Sequence, residues 1–226
     1  MQSKRVAAYL LGQLSTLVFT GVVLFWSAGR LDWWAAWAAI AVWTVWFAAL
    51  DWVVLRIQPG LLAERLSPPK DAKAWDRALL SSIRLVELAR YIIAGLDQRS
   101  GWSENFPLAV QGVGLIAFLL GTALFAWAMA CNPFFSQVVR IQTERGHAVV
   151  STGPYRWVRH PGYLATIVTE LSLSALLGSW WAILASAVLG ILFILRTVLE
   201  DRTLQAELPG YRDYAGQVRG RLVPRI

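Results

Sequence analysis

Residues 78–96, ALLSSIRLVELARYIIAGL, decide how many times this chain crosses a membrane. The run is about as long as the roughly 20 residues that a bilayer core of about 30 Å requires. It also carries Arg84, Glu87 and Arg90, a spacing of three that sets all of them on one helical face with Glu87 between its cations. Such a stripe suits an amphipathic helix lying at the headgroups. It equally suits a spanning helix whose paired charges face the interior of a bundle.

The flanking sequence is less ambiguous. Residues 9–27, 33–55, 107–130 and 180–199 are apolar runs of spanning length. A shorter run, 162–177, reaches about 24 Å at 1.5 Å per residue, and Gly178-Ser179 divides it from the last span, so these two read as a tight antiparallel hairpin. The first run follows Lys4 and Arg5, exceeds the core of a signal peptide and ends at Gly29-Arg30 rather than at a small-residue cleavage site, so it reads as a retained span.

Charge distribution arbitrates the doubtful segment. With a cytoplasmic N-terminus and residues 78–96 spanning, 17 of the 21 Lys and Arg fall on the inner side, only Arg30 and Arg99 lie outside, and Arg84 and Arg90 sit within the helix. In the five-span alternative every later loop inverts, leaving 11 cations outside against 10 inside. The positive-inside rule therefore favours six spans. Tryptophan agrees: Trp26, Trp33, Trp34, Trp102, Trp180 and Trp181 flank the three outer connections, as interfacial rings do, while Trp37, Trp43, Trp46 and Trp127 read as lipid-facing packing.

Composition excludes several classes. Of 226 residues 57% are hydrophobic and 15% charged, against roughly 25% charged in soluble domains. The net charge of +7 sits in loops beside spans, which implies membrane topology and anionic lipid rather than nucleic acid. A single cysteine, Cys131, permits no internal disulfide, and the two histidines do not make a zinc cage, so no metal is expected. Without repeats or linkers, the chain reads as one all-α polytopic membrane domain over 1–226. Residues 1–106 supply N-terminal spans, and 107–226 form a core with its pocket on the cytoplasmic side.

Chemistry concentrates in residues 140–163, RIQTERGHAVVSTGPYRWVRHPGY, with both histidines, three Gly, two Pro, two Tyr and four Arg. Pro161 suits the first turn of the following helix, so Arg159 and His160 stand at a helix N-terminus, where free N–H groups and the dipole favour an anion. The second cluster is Arg196, Glu200 and Asp201 near the end of the last span, followed by Tyr211 and Tyr214. Arg196 and Glu200 are four apart, the spacing of an ordinary helical ion pair, but charges at a membrane boundary are often functional.

Taken in order, His147-Ala-Val-Val, Gly153-Pro154-Tyr155, Arg159-His160-Pro161-Gly162-Tyr163, Arg196-x3-Glu200-Asp201, Leu204 and Gly210-Tyr211-x2-Tyr214 resemble the isoprenylcysteine carboxyl methyltransferase family and its bacterial relatives. The specific likeness covers 132–224. The N-terminal half matches only in hydropathy and in Lys73-Ala74-Trp75-Asp76 and Gly95-Leu96-Asp97. The resemblance implies an integral-membrane enzyme that transfers a methyl group from S-adenosyl-L-methionine. It implies cofactor contacts from His147, Ala148, Val149, Val150, Tyr155, His160, Pro161, Gly162, Tyr163 and Glu200, and a substrate role for Arg196. Two positions depart from the pattern: Arg140 stands where eukaryotic members tend to have Gln, and Asp201 replaces the second Glu of an acidic pair.

Methyl transfer from a sulfonium asks a protein mainly to position two reactants, and these residues suit that work in type. The expected partner is a lipid or isoprenoid-bearing amphiphile arriving from the bilayer. An NADPH-dependent reductase of the sterol type is the competing enzyme reading. A small transporter or membrane adaptor, with Arg84, Glu87 and Arg90 as its polar path, is the non-enzymatic one.

Overall fold

In a computed structural model, which describes residues 2–66 and 72–224, the described residues form helices and loops with no strand. The elements are α1 (Gln2–Ala28), α2 (Trp34–Trp52) prolonged by a wider π turn (Val53–Ile57), α3 (Leu61–Leu66), α4 (Ala74–Ser100), α5 (Leu108–Cys131), α6 (Pro161–Leu176), α7 (Trp180–Glu207) and α8 (Tyr211–Gln217). Short 3₁₀ turns occupy Thr143–Arg145 and Gly153–Arg156. Lys70 and Arg225, both counted in the charge balance, lie outside the described residues.

Four helices, Ser3–Ala28, Trp34–Ile57, Leu108–Cys131 and Trp180–Glu207, are long and apolar enough to cross a membrane. The chain is an integral membrane protein. Its tightest helix pair is α5 against α6, and glycine explains why. A Cβ on Gly114 would stand 2.6 Å from the Leu176 backbone nitrogen, and one on Gly121 would stand 2.6 Å from the Thr169 hydroxyl. These glycines are seven apart, so they share one face and let the backbones meet, which is how helices associate where lipid removes the hydrophobic drive.

Helix α4 runs the length of the bundle against α1 and α7. At one end buried Asp97 accepts the Ser103 amide (2.8 Å) and hydroxyl (2.7 Å) and the Ser179 hydroxyl. Ser179 also accepts from the Ala182 amide at 3.0 Å as the cap of α7, and Gly178 at φ +76° makes the sharp turn of the expected hairpin. At the other end Asp76 pairs with Arg196 on α7 (2.6 Å). About 31 Å of helix separates these two aspartates at 1.5 Å per residue.

The charge stripe differs from the expectation. Arg90, fully buried, pairs with Glu170 of α6 at 2.8 Å rather than with Glu87, and its guanidinium lies 4.4 Å from the Tyr91 ring centre. Arg84 is exposed. A neighbouring helix supplies the counter-charge, a contact that spacing along α4 alone does not reveal. Tryptophans also depart from their expected places: Trp46 packs against the core and lines an interior cavity rather than facing lipid, and two more are buried. Trp33 is buried, and Trp43 sits in the core edge-on to both Tyr91 and Phe118, each 5.8 Å away. Both belong to α2 or its start, whose small Ala35, Ala36 and Ala39 draw neighbouring helices close around them.

Candidate functional site

The loop between α5 and α6 folds back beneath the bundle, and α8 closes over it. Together with the start of α6 and the end of α7 they enclose a cavity of about 400 Å³. Its floor is a polar lock centred on Asp201, which is completely buried. Asp201 accepts from Arg159 Nε (2.7 Å) and Nη2 (3.0 Å), Tyr211 Oη (3.1 Å), Gln205 Nε2 (2.7 Å) and Arg221 Nε (2.9 Å), and lies 3.1 Å from His160 Nε2. The remaining Arg159 nitrogen donates to the Val218 (2.7 Å) and Arg219 (3.0 Å) carbonyls, and the Arg159 and His160 amides donate to Gly220 and Arg221, each at 2.9 Å. One of the protein's own carboxylates thus meets the Arg159 and His160 side chains just ahead of α6.

A second set of bonds shapes the loop side. Tyr214 donates to the Tyr155 carbonyl at 2.6 Å, and Asn132 donates to the Tyr155 hydroxyl at 3.0 Å. Burial pushes the Tyr214 phenol up to about 12 and raises those of Tyr155 and Tyr211 as well, so all three act as neutral hydroxyls. His147 accepts the Gln142 amide on Nδ1 at 3.2 Å and stacks obliquely on Phe134 with ring centres 4.6 Å apart. Burial, then the nearby Arg140 and Arg145, lower its affinity for a proton below the ordinary 6.5.

Glu200 has a different setting from its neighbour Asp201. Among the described residues it takes one bond, from the Tyr163 hydroxyl at 2.5 Å, and it lines the cavity. Arg196 does not pair with Glu200 as helical spacing allowed. Its Nε and Nη2 grip Asp76 at 2.6 and 3.1 Å, Nη2 also donates to the Gln137 carbonyl at 2.8 Å, and the guanidinium rests 5.3 Å from the Tyr163 ring. Asp76 in turn accepts the Val139 amide at 2.7 Å, which fastens the loop to α4.

The cavity therefore gathers His147, Ala148, Val149 and Val150 from the loop, and Tyr155 from the 3₁₀ turn. His160, Gly162 and Tyr163 come from the start of α6, and Arg196 and Glu200 from α7. Pro161 is buried in the first turn of α6 and does not line it. Gly162 leaves room for Phe135, since a Cβ there would be 3.0 Å from that ring. Sequence reading missed the wall made by Asn132, Phe134, Ser136 and Gln137, and by Arg65 of α3. In the N-terminal half, the loose likeness of Lys73-Ala74-Trp75-Asp76 and Gly95-Leu96-Asp97 was the hint that it contributes.

The fold and the site together define an all-helical membrane protein with a mixed polar and apolar cavity at one end of its bundle. Residues 113–206 match the model of the isoprenylcysteine carboxyl methyltransferase family. A lamin-B receptor of Drosophila melanogaster is 30% identical over 141 residues, 55% of this chain and 19% of that protein. A protein-S-isoprenylcysteine O-methyltransferase of Schizosaccharomyces pombe is 33% identical over 103 residues, 44% of each chain. The chain thus spans less than half the length of either curated relative. A solved structure of the eukaryotic intramembrane Ras methyltransferase of the same family superposes with a TM-score of 0.50 and 18% identity, covering 99% of this chain and 97% of that one. That likeness concerns the fold.

Proposed function

We propose that this chain is an S-adenosyl-L-methionine-dependent O-methyltransferase acting on a membrane-partitioned amphiphile, through the carboxylate of an isoprenylcysteine-like or related lipid. The observation that carries the reading is the cavity of about 400 Å³, in which ten of the eleven site residues expected from the family likeness converge. That volume falls within the range of small-molecule sites. The lining suits the cofactor in kind: Val149, Val150, Phe134 and Tyr155 offer apolar and aromatic surface for a base, and Glu200 offers an acceptor for hydroxyl or ammonium groups. When bound, the cofactor supplies a methyl group already activated on sulfur. The chain's share is orientation: Tyr163 holds Glu200 through one hydrogen bond, and Asp201 holds the start of α6 through Arg159 and His160. Arg196 is the acceptor-side cation in this reading, but with Nε and Nη2 engaged it offers only Nη1, not a bidentate fork.

The same reading has α4 and α6 crossing the bilayer with the four apolar helices, six spans in all, and the cavity opening to the cytoplasm. The support is the charge balance and the anchoring of α4 at both ends of α7. Impermeant-thiol labelling of a cysteine placed at position 145 reads the orientation, and labelling from the outer side contradicts it. Activity is tested by incubating the purified protein with methyl-labelled cofactor and an N-acylated S-prenylcysteine. Alkali-labile label on the acceptor is expected; no transfer to it or to a lipid extract removes the proposal.

A further inference from the structure

A second cavity of about 550 Å³ lies among the spans, walled by Tyr9, Gln13 and Thr16 of α1, Trp46 and Phe47 of α2, and Tyr91 of α4. It shares Arg65, Glu87, Phe125 and Gln137 with the cavity described above, so these four residues form the partition between the two. One compartment is set among helices that face lipid and the other holds the family motif.

Five arginines line the first cavity, and their partners differ. Arg140 is held by Glu64 (2.5 Å) and Glu144 (2.7 Å), Arg159 by Asp201 (2.7 Å) and Arg196 by Asp76 (2.6 Å). Arg84 is exposed. Arg65 is half-buried, and among the described residues no carboxylate pairs with it. Its Nη2 contacts only the Met129 sulfur at 3.0 Å, its Nε is buried without a hydrogen-bond partner, and its guanidinium lies 6.0 Å from the Phe135 ring. The adjacent Glu64 is taken by Arg140 and by the Ser136 hydroxyl. Burying the Nε of a guanidinium without an acceptor is costly, and a weak sulfur contact at Nη2 does not offset that cost. Phe135, on which Arg65 rests, is also the ring that Gly162 accommodates at the start of α6.

We propose that Arg65 is an acceptor-binding residue: it receives the carboxylate of the amphiphile at the partition between the two cavities and presents it to the cofactor site. This rests on the methyltransferase reading above and adds to it the group that supplies the acceptor's counter-charge. A carboxylate fits because it takes a planar guanidinium through two parallel N–H bonds: on Arg65 the Nη2 of such a fork holds a weak sulfur contact that a carboxylate can displace, whereas on Arg196 Nε and Nη2 are held by Asp76.

The test compares two probes in detergent, an N-acylated S-prenylcysteine and its carboxamide, by thermophoresis against wild type, Arg65→Ala and Arg65→Lys. S-adenosylhomocysteine affinity is measured alongside as a check that each variant is folded. Wild type is expected to prefer the acid. Arg65→Ala should lose about 10- to 150-fold in affinity for the acid while its affinity for the amide and for S-adenosylhomocysteine stays within about threefold, and Arg65→Lys should recover part of the loss. Equal weakening of acid and amide, or unchanged binding of the acid, overturns the assignment while leaving the methyltransferase reading in place. So does a parallel fall in S-adenosylhomocysteine affinity in both variants. Phosphatidic acid binding that depends on Arg65, with no such dependence for the carboxylate, overturns it in favour of a lipid-headgroup site. Wild type that binds S-adenosylhomocysteine but shows no preference for the acid removes the proposed acceptor class and this inference with it.

Discussion

The two walls of the cavity are built on opposite plans. Around Asp201 a single carboxylate is met by two arginines, a histidine, a tyrosine and a glutamine, and the backbone of residues 218–221 closes the remaining donors of Arg159. One residue earlier, among the described residues, Glu200 takes one hydroxyl hydrogen bond, and across the cavity Arg65 donates to a sulfur and lies near the Phe135 ring. A saturated network has nothing left for a ligand and serves to hold α6, α7 and the C-terminal segment together. The unsaturated wall retains the donors and acceptors that a cofactor and its acceptor can use.

The most severe way to break this contrast is Asp201→Asn, which keeps the shape but removes the charge from beneath Arg159 and Arg221. Uncompensated buried charge typically costs about 3–5 kcal/mol. Thermal unfolding in detergent should show a large drop, whereas Glu200→Gln should shift stability by no more than about 1.5 kcal/mol, the worth of one hydrogen bond. Comparable losses in the two variants erase the distinction between the walls.

A smaller effect sharpens the loop side. His147 accepts an amide on Nδ1 and binds protons less readily than in the unfolded chain, chiefly through burial. Between its folded value and the ordinary 6.5 the unfolded chain carries more protons, so stability rises with pH through that window. The contribution is complete above about 6.5 and is lost as pH falls below it. Replacing His147 by Gln should flatten this part of the pH–stability curve; an unchanged slope assigns it to another group.

Much of the bundle was legible because its signals are local. Hydropathy marked the apolar runs, Gly178-Ser179 marked the hairpin, and 24 contiguous residues carried most of the motif. What stayed hidden depends on contacts between distant segments. Asp76 and Arg196 stand 120 positions apart, and Glu170 reaches Arg90 from another helix. Spacing on one helix instead suggested Arg196 with Glu200 and Glu87 with its two flanking arginines. Trp43 resembles its lipid-facing neighbours in sequence and is buried only because small residues of α2 bring other helices around it. Asp201 read as a shortened glutamate, and its role became visible only when residues 159–221 were brought around it.

The claim that the unsaturated wall binds the methyl donor is tested most directly by calorimetric titration of S-adenosyl-L-methionine and S-adenosylhomocysteine into wild type and Glu200→Gln, with NADPH as competitor. The account predicts saturable binding of both methyl-cofactor forms to wild type, no displacement by NADPH, and a loss of about 10- to 150-fold in Glu200→Gln at nearly unchanged stability. Saturable NADPH binding with no response to either methyl-cofactor form contradicts it.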